Sequence, residues 1–143
     1  MNDPAARWWL GALDERYDVL VMANGAPPPR ALFDAIRKRC GKLMALDGGA
    51  NSLRRWNAAP NHVVGDLDSI TRPALEWARE KRSVIHAQPS QESSDIEKGL
   101  KLCKGIGFRS VLIAAADGDA LDHVLNTLSV VATAGLRRWL MAL

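Results

Sequence analysis

The sequence predicts an α/β fold in which a parallel β-sheet carries helices on both faces, giving three layers. Short apolar runs typical of buried strands alternate with segments whose apolar residues recur at helical spacing. These runs are mostly apolar rather than alternating, as expected of parallel strands that are buried on both faces. With 143 residues, the chain is expected to form one such domain with a substantial core.

Five strands are predicted, with helices between them. The strands are residues 18–23, 42–46, 62–64, 83–86 and 110–115. Helical spacing connects Leu32, Ala35, Ile36 and Cys40, and again Ile96, Leu100, Cys103 and Ile106. The longest helical pattern runs from Leu121 to Ala132 and predicts a final helix in which, or just after which, the chain ends.

Composition excludes several classes of protein. The hydrophobic content of 48% and charged content of 24% are those of a soluble globular domain. A net charge of +3 without a Lys/Arg block argues against nucleic-acid binding. The sequence has no membrane-spanning apolar stretch and no signal-peptide pattern, so we expect no membrane association and a cytoplasmic location. Cys40 and Cys103 have no disulfide or metal spacing and are interpreted as reduced core thiols.

Aspartates are concentrated after the predicted strands. Asp66 and Asp68 follow the third strand within Val64–Ser69, where two unpaired buried charges would be very costly. Seven of the eleven aspartates occupy such strand-to-helix loops: Asp47, Asp66, Asp68, Asp95, Asp117, Asp119 and Asp122. Because ligands of doubly wound sheets bind outside the carboxyl ends of the strands, these acids should converge and repel one another. A hard cation such as Mg²⁺ would neutralise them.

Simpler roles remain open for single acids. Solvation in a loop would account for an isolated Asp-x-Asp pair, and Ser94 with Glu97 fits a capping box around Asp95. Gly48 and Gly49 at a helix start would let backbone amides approach a phosphate, although Gly-Gly is also an ordinary turn.

Several common enzyme classes fit poorly. There is no Walker A pattern, no Gly-x-Gly-x-x-Gly after the first strand, and no nucleophile elbow. The histidines at 62, 86 and 123 lack metal-ligand spacing. These exclusions leave phosphoryl-type chemistry, in which metal ions and the positioning of the substrate drive the reaction.

Five segments together resemble the catalytic domain of thiamine pyrophosphokinase. They are Asn24-Gly25, Asp47-Gly48-Gly49-Ala50-Asn51, Gly65-Asp66-Leu67-Asp68-Ser69, Ser94-Asp95-Ile96-Glu97-Lys98 and Leu121-Asp122-His123. The resemblance implies Mg²⁺-dependent transfer of a pyrophosphoryl group from ATP to the hydroxyl of thiamine, usually by a homodimer. It also implies a Rossmann-like ATP-binding domain, which we assign to residues 18–143. The pattern of residues 1–17 predicts a helical extension before this domain.

The resemblance assigns roles to individual residues. It makes Asp66, Asp68 and Asp95 catalytic, and these three together with Asp47 the metal ligands. Gln91 and Ser94 are assigned to thiamine. The nucleotide-binding residues are expected to be Asn24, Gly25, Asp47, Gly48, Gly49, Asn51, Asp122 and His123.

Two departures from the family pattern bear on activity. Asp119 and Ala120 replace the usual glycine and arginine, which should weaken nucleotide binding. The chain is also expected to lack the β-rich domain that follows in the family. Three alternatives therefore remain open: a pyrophosphokinase for another alcohol such as a hydroxymethylpterin, a non-catalytic nucleotide- or metal-binding relict, and a plain scaffold with solvated loop aspartates.

Overall fold

The computed structural model describes residues 16–90, 92–116 and 138–142. Its strands are β1 (Tyr17–Met22), β2 (Cys40–Leu46), β3 (His62–Gly65), β4 (Val84–Ala87), β5 (Ser110–Ala114) and β6 (Arg138–Ala142). These strands form one sheet in the order β4-β3-β2-β1-β5-β6, and every neighbouring pair is parallel. All their carboxyl ends therefore lie at one edge of the sheet, which is called the carboxyl edge below.

Helices connect the first five strands. They are α1 (Arg30–Arg37), α2 (Gly49–Arg55), α3 (Arg72–Glu80) and α4 (Asp95–Ile106). Thr71 caps α3 by accepting a hydrogen bond from the amide of Ala74 at 3.3 Å. Gly107 ends α4 in the left-handed conformation with a φ of 105°, the usual way to terminate a helix.

The helices cover both faces of the sheet. On one face, α1, α2 and α3 pack through residues such as Phe33, Leu53 and Ala78 against Leu20 and Leu43 of the sheet. On the other face, α4 packs through Ile96, Leu100 and Cys103 on Val19, Val21, Met44 and Val64. The three-layer α/β fold is thus confirmed. Among the described helices, none has the length and apolar character needed to cross a bilayer.

The predicted strands are all present, with ends that shift by at most two residues. Two details of the prediction were wrong. Cys40 begins β2 instead of extending α1, because α1 ends at Arg37. Residues 138–142 form β6, parallel to β5, where a final helix was expected. The helix predicted around Leu121–Ala132 and most of the predicted N-terminal extension lie outside the described residues.

Chain order determines which loops share the carboxyl edge. Strands β1 to β4 follow one another across one half of the sheet, whereas β5 lies on the other side of β1. The connection through α4 therefore returns across the sheet on the face opposite α1, α2 and α3. This reversal brings the start of α4 beside the ends of β2 and β3, where ligands of open α/β sheets bind.

Candidate active site

Three of the predicted carboxylates meet at the carboxyl edge. One oxygen from each of Asp47, Asp66 and Asp95 lies within 4.8 Å of the others, and these residues are called the acidic cluster. Asp47 follows β2, Asp66 follows β3, and Asp95 is the first residue of α4. Asp68 is outside this group, and its Oδ1 accepts a hydrogen bond from Ser69 Oγ at 3.1 Å.

Asp47 is the buried member of the acidic cluster. Its Oδ1 accepts hydrogen bonds from the amides of Ser69 (3.1 Å) and Ile70 (2.7 Å), so Asp47 holds the loop after β3. Its Oδ2 is buried and has no hydrogen-bond partner among the described residues. Burial, followed by the nearby Asp68 and Asp66 carboxyls, raises the pKa of Asp47 to about 7. An unsatisfied oxygen beside other carboxylates favours a cation.

The acidic cluster fits a Mg²⁺ ion. All its donors are carboxylate oxygens, the ligands that this ion prefers. In an octahedral site with metal–oxygen distances of about 2.1 Å, adjacent ligands lie about 3.0 Å apart and opposite ligands about 4.2 Å apart. Because the cluster oxygens lie within 4.8 Å of one another, small side-chain rotations would bring them onto one ion.

The buried Lys98 supports the acidic cluster. The sequence motifs predicted no role for this residue. Lys98 is 3% exposed, and its Nζ lies 3.8 Å from Asp95 Oδ1 and donates to the Gln88 carbonyl at 3.0 Å. Burial and then the charge of Asp66 raise the pKa of Asp95, while Lys98 opposes them. The sequence signal that could have identified Lys98 is its position three residues after Asp95, one helical turn along the same face of α4.

Gly65 allows the acidic carboxylates to approach one another. Its φ of 140° lies in a region that side-chain-bearing residues rarely adopt. A Cβ at this position would lie 2.9 Å from Asp95 Oδ1 and 3.2 Å from Asp47 Cβ. Both the backbone conformation and the space between the two acids therefore require glycine.

We expect Gly65→Ala to lower the free energy of unfolding by about 1–3 kcal/mol, because it combines backbone strain with a forced shift of Asp95. Urea denaturation measures this loss. The control is Gly105→Ala, since a Cβ at Gly105 meets nothing within 4 Å and Gly105 lies inside α4. That variant should be neutral or more stable, and equal losses in both variants would contradict the role of Gly65.

Asn51 joins the two strongest sequence motifs. Its Nδ2 donates to the Ser69 carbonyl at 3.1 Å. Its Oδ1 accepts from the amide of Thr71 at 2.9 Å and from the Thr71 hydroxyl at 3.2 Å. The side chain of this predicted nucleotide-binding residue thus fixes α2 to the loop after β3 that carries Asp66 and Asp68.

A cleft beside the cluster gathers four predicted nucleotide-binding residues: Asn24, Gly25, Gly48 and Asn51. Its volume is about 420 Å³, within the range of small-molecule sites. It is called the α2–α3 cleft. The described residues that line it are Asn24, Gly25, Pro27, Gly48, Asn51, Ser52, Arg54, Arg55, Thr71 and Ala74. Gly49 does not line it; a Cβ there would collide with the Met22 carbonyl, so this glycine lets α2 pack on β1.

Ser94 belongs neither to the acidic cluster nor to the described lining of the α2–α3 cleft. Ser94 caps α4 by accepting a hydrogen bond from the amide of Glu97 at 3.2 Å, which is one half of the expected capping box. Gln91, Asp122 and His123 lie outside the described residues.

Comparison with known proteins bears directly on this arrangement. Residues 33–139 match the family described as thiamin pyrophosphokinase, catalytic domain. The chain belongs to the thiamin pyrophosphokinase family. The match covers most of the chain and includes the whole acidic cluster. A curated relative, thiamine pyrophosphokinase of Saccharomyces cerevisiae, is 31% identical over 98 residues, which cover 62% of this chain.

Solved structures share the fold at lower identity. Yeast thiamin pyrophosphokinase has a TM-score of 0.72 at 17% identity, over 90% of this chain and 59% of the yeast chain. The Candida albicans protein has a TM-score of 0.66 at 19% identity, over 82% and 53% of the two chains. This chain thus spans between half and two thirds of these structures, and 31% of the length of the curated yeast relative.

Proposed function

We propose that this chain transfers a pyrophosphoryl group from ATP to the hydroxyl of thiamine, giving thiamine diphosphate and AMP with Mg²⁺. The acidic cluster is the observation that carries the proposal. At the carboxyl edge it places the carboxylates of Asp66 and Asp95 beside that of Asp47, whose buried Oδ2 has no partner among the described residues, in a chain of the thiamin pyrophosphokinase family. A plain scaffold with solvated loop acids does not account for a buried carboxylate whose Oδ2 has no partner among the described residues.

In the proposed reaction, the thiamine hydroxyl oxygen attacks the β-phosphorus of ATP and the bond to the oxygen of the departing AMP breaks. When bound, Mg²⁺ supplies charge neutralisation and alignment of the phosphates. Asp47, Asp66 and Asp95 would hold the cation. Asp47 also fixes the loop after β3 through two amide hydrogen bonds, so the ligand geometry is formed before substrate binds.

We also propose the finer assignments that the resemblance implies. Gln91 and Ser94 would contact thiamine, Asp122 and His123 would contact the nucleotide, and Asp68 would join the metal ligands. A cytoplasmic homodimer would be the working form, and light scattering after size-exclusion chromatography tests the dimer.

The expected result for function is formation of thiamine diphosphate and AMP in equal amounts when the chain is incubated with ATP, Mg²⁺ and thiamine. Both products should be absent when the metal is chelated, because the acidic cluster cannot neutralise the triphosphate itself. Chromatographic separation of the nucleotides and thiamine esters measures both products.

Hydroxymethylpterin in place of thiamine provides the control for the acceptor. Product from the pterin alone would transfer the proposal to another alcohol. Binding of ATP and Mg²⁺ without any product would show a non-catalytic binding module and would contradict the proposed reaction.

A further inference from the structure

Among the described residues that line the α2–α3 cleft, the charges have one sign. Arg54 and Arg55 are the charged residues of this set, and none of the set is a carboxylate. The acidic cluster lies close by, because Gly48 of the cleft follows Asp47 directly in the chain. Asn51 also lines the cleft and holds the loop that carries Asp66. The α2–α3 cleft thus extends from Gly48 at the carboxyl edge, beside the acidic cluster, to the two arginines in the last turn of α2.

Both guanidinium groups are available for a ligand. In the part of the chain that the structure describes, neither Arg54 nor Arg55 forms a salt bridge with a carboxylate. Arg55 Nη2 donates to Ser52 Oγ at 3.1 Å, which orients the guanidinium along the wall of the cleft. Guanidinium groups recognise phosphate through two parallel hydrogen bonds, so an oriented arginine without a carboxylate partner suits a phosphate.

We infer that Arg54 and Arg55 form a polyphosphate-binding site in the α2–α3 cleft, which holds nucleotide phosphates beside the acidic cluster. Identification of the anion as a nucleotide rests on the proposed function, whereas the site for a polyphosphate does not. The neighbouring surfaces match the two charges of a metal–nucleotide complex: carboxylates face the cation and guanidiniums face the phosphate oxygens.

Inorganic tripolyphosphate, and ATP with and without Mg²⁺, are the probes for this site, with binding measured by titration calorimetry. We expect the Arg54→Gln/Arg55→Gln variant to bind both probes about 10- to 100-fold more weakly, from the loss of two charge-assisted hydrogen bonds. Its binding should also depend less steeply on salt. Both arginines are exposed and lie in the last turn of α2, so the variant should remain folded.

Arg72→Gln/Arg79→Gln is the matched control, because it removes two charges from α3 at positions that do not line the cleft. It should bind both probes as the wild type does. Unchanged binding by the Arg54/Arg55 variant, equal weakening in the control, or absence of tripolyphosphate binding by the wild type would each overturn the inference. Arginine-dependent binding of tripolyphosphate without formation of thiamine diphosphate would support this site while the proposed reaction fails.

Discussion

Asp66→Asn and Asp95→Asn are each expected to slow formation of thiamine diphosphate by at least about 100-fold. Changes to groups that only support a metal ligand cost about 10- to 100-fold, and loss of a ligand should cost no less. Each substitution keeps the side-chain shape but removes one of the three converging charges. Rates measured over a range of Mg²⁺ concentrations should show a higher metal requirement as well as a lower maximal rate.

Asp34→Asn is the control for this first prediction, because Asp34 lies on α1 and forms an exposed ion pair with Arg30 at 3.9 Å. Its rate should equal that of the wild type. Binding of Mn²⁺, which takes the same oxygen ligands, gives a readout that does not depend on turnover. If either cluster variant kept the wild-type rate and Mn²⁺ affinity, the acidic cluster would not be the metal site.

Asp47→Asn is expected to make the metal-free protein more stable at pH 8. The folded-state pKa of Asp47 is about 7, above the value of about 3.9 for an unfolded aspartate. The folded state therefore holds its proton more tightly, and this stabilisation is complete below about pH 4 and lost as the pH rises through 7. Asparagine has no proton to lose, so the variant should gain on the order of 2–4 kcal/mol at pH 8 and much less at pH 5.

Urea denaturation at pH 5 and pH 8, in a chelator and in excess Mg²⁺, measures this second prediction. Added Mg²⁺ should stabilise the wild type at pH 8 and have little effect on the asparagine variant. Asp47→Ala is the matched control, since it loses the acceptor for the amides of Ser69 and Ile70 and should be less stable than Asp47→Asn at both pH values. Wild-type stability that does not change between pH 5 and pH 8 without metal would contradict the assigned pKa.

The predictable part of the fold was the part in which local pattern and burial agree. Strand β1 after Asp18 and strand β5 after Ser110 are apolar and buried because both faces of the sheet are covered. Strand β6 was missed because a short apolar run has no distinguishing period. What makes residues 138–142 a strand is pairing with β5, a contact across more than twenty residues of chain.

The part of the candidate site that depends on strand direction was also predictable from the sequence. Convergence of Asp47, Asp66 and Asp95 follows from parallel strands, whose carboxyl ends share one edge. Side-chain contacts that depend on register were not predictable. His62 Nδ1 lies 3.1 Å from His86 Nε2 across β3 and β4, although their sequence spacing indicated no pair. The described residues place no third metal-ligating side chain with these two histidines.

Buried Lys98 influences which ion the acidic cluster can accept. Three ionised carboxylates carry a charge of −3, and the ammonium group 3.8 Å from Asp95 reduces the total to −2. A single divalent ion would balance the charge of these four residues, whereas a monovalent ion would leave a residual negative charge and a trivalent ion a positive one. Lys98 therefore lowers the charge that a bound cation has to balance.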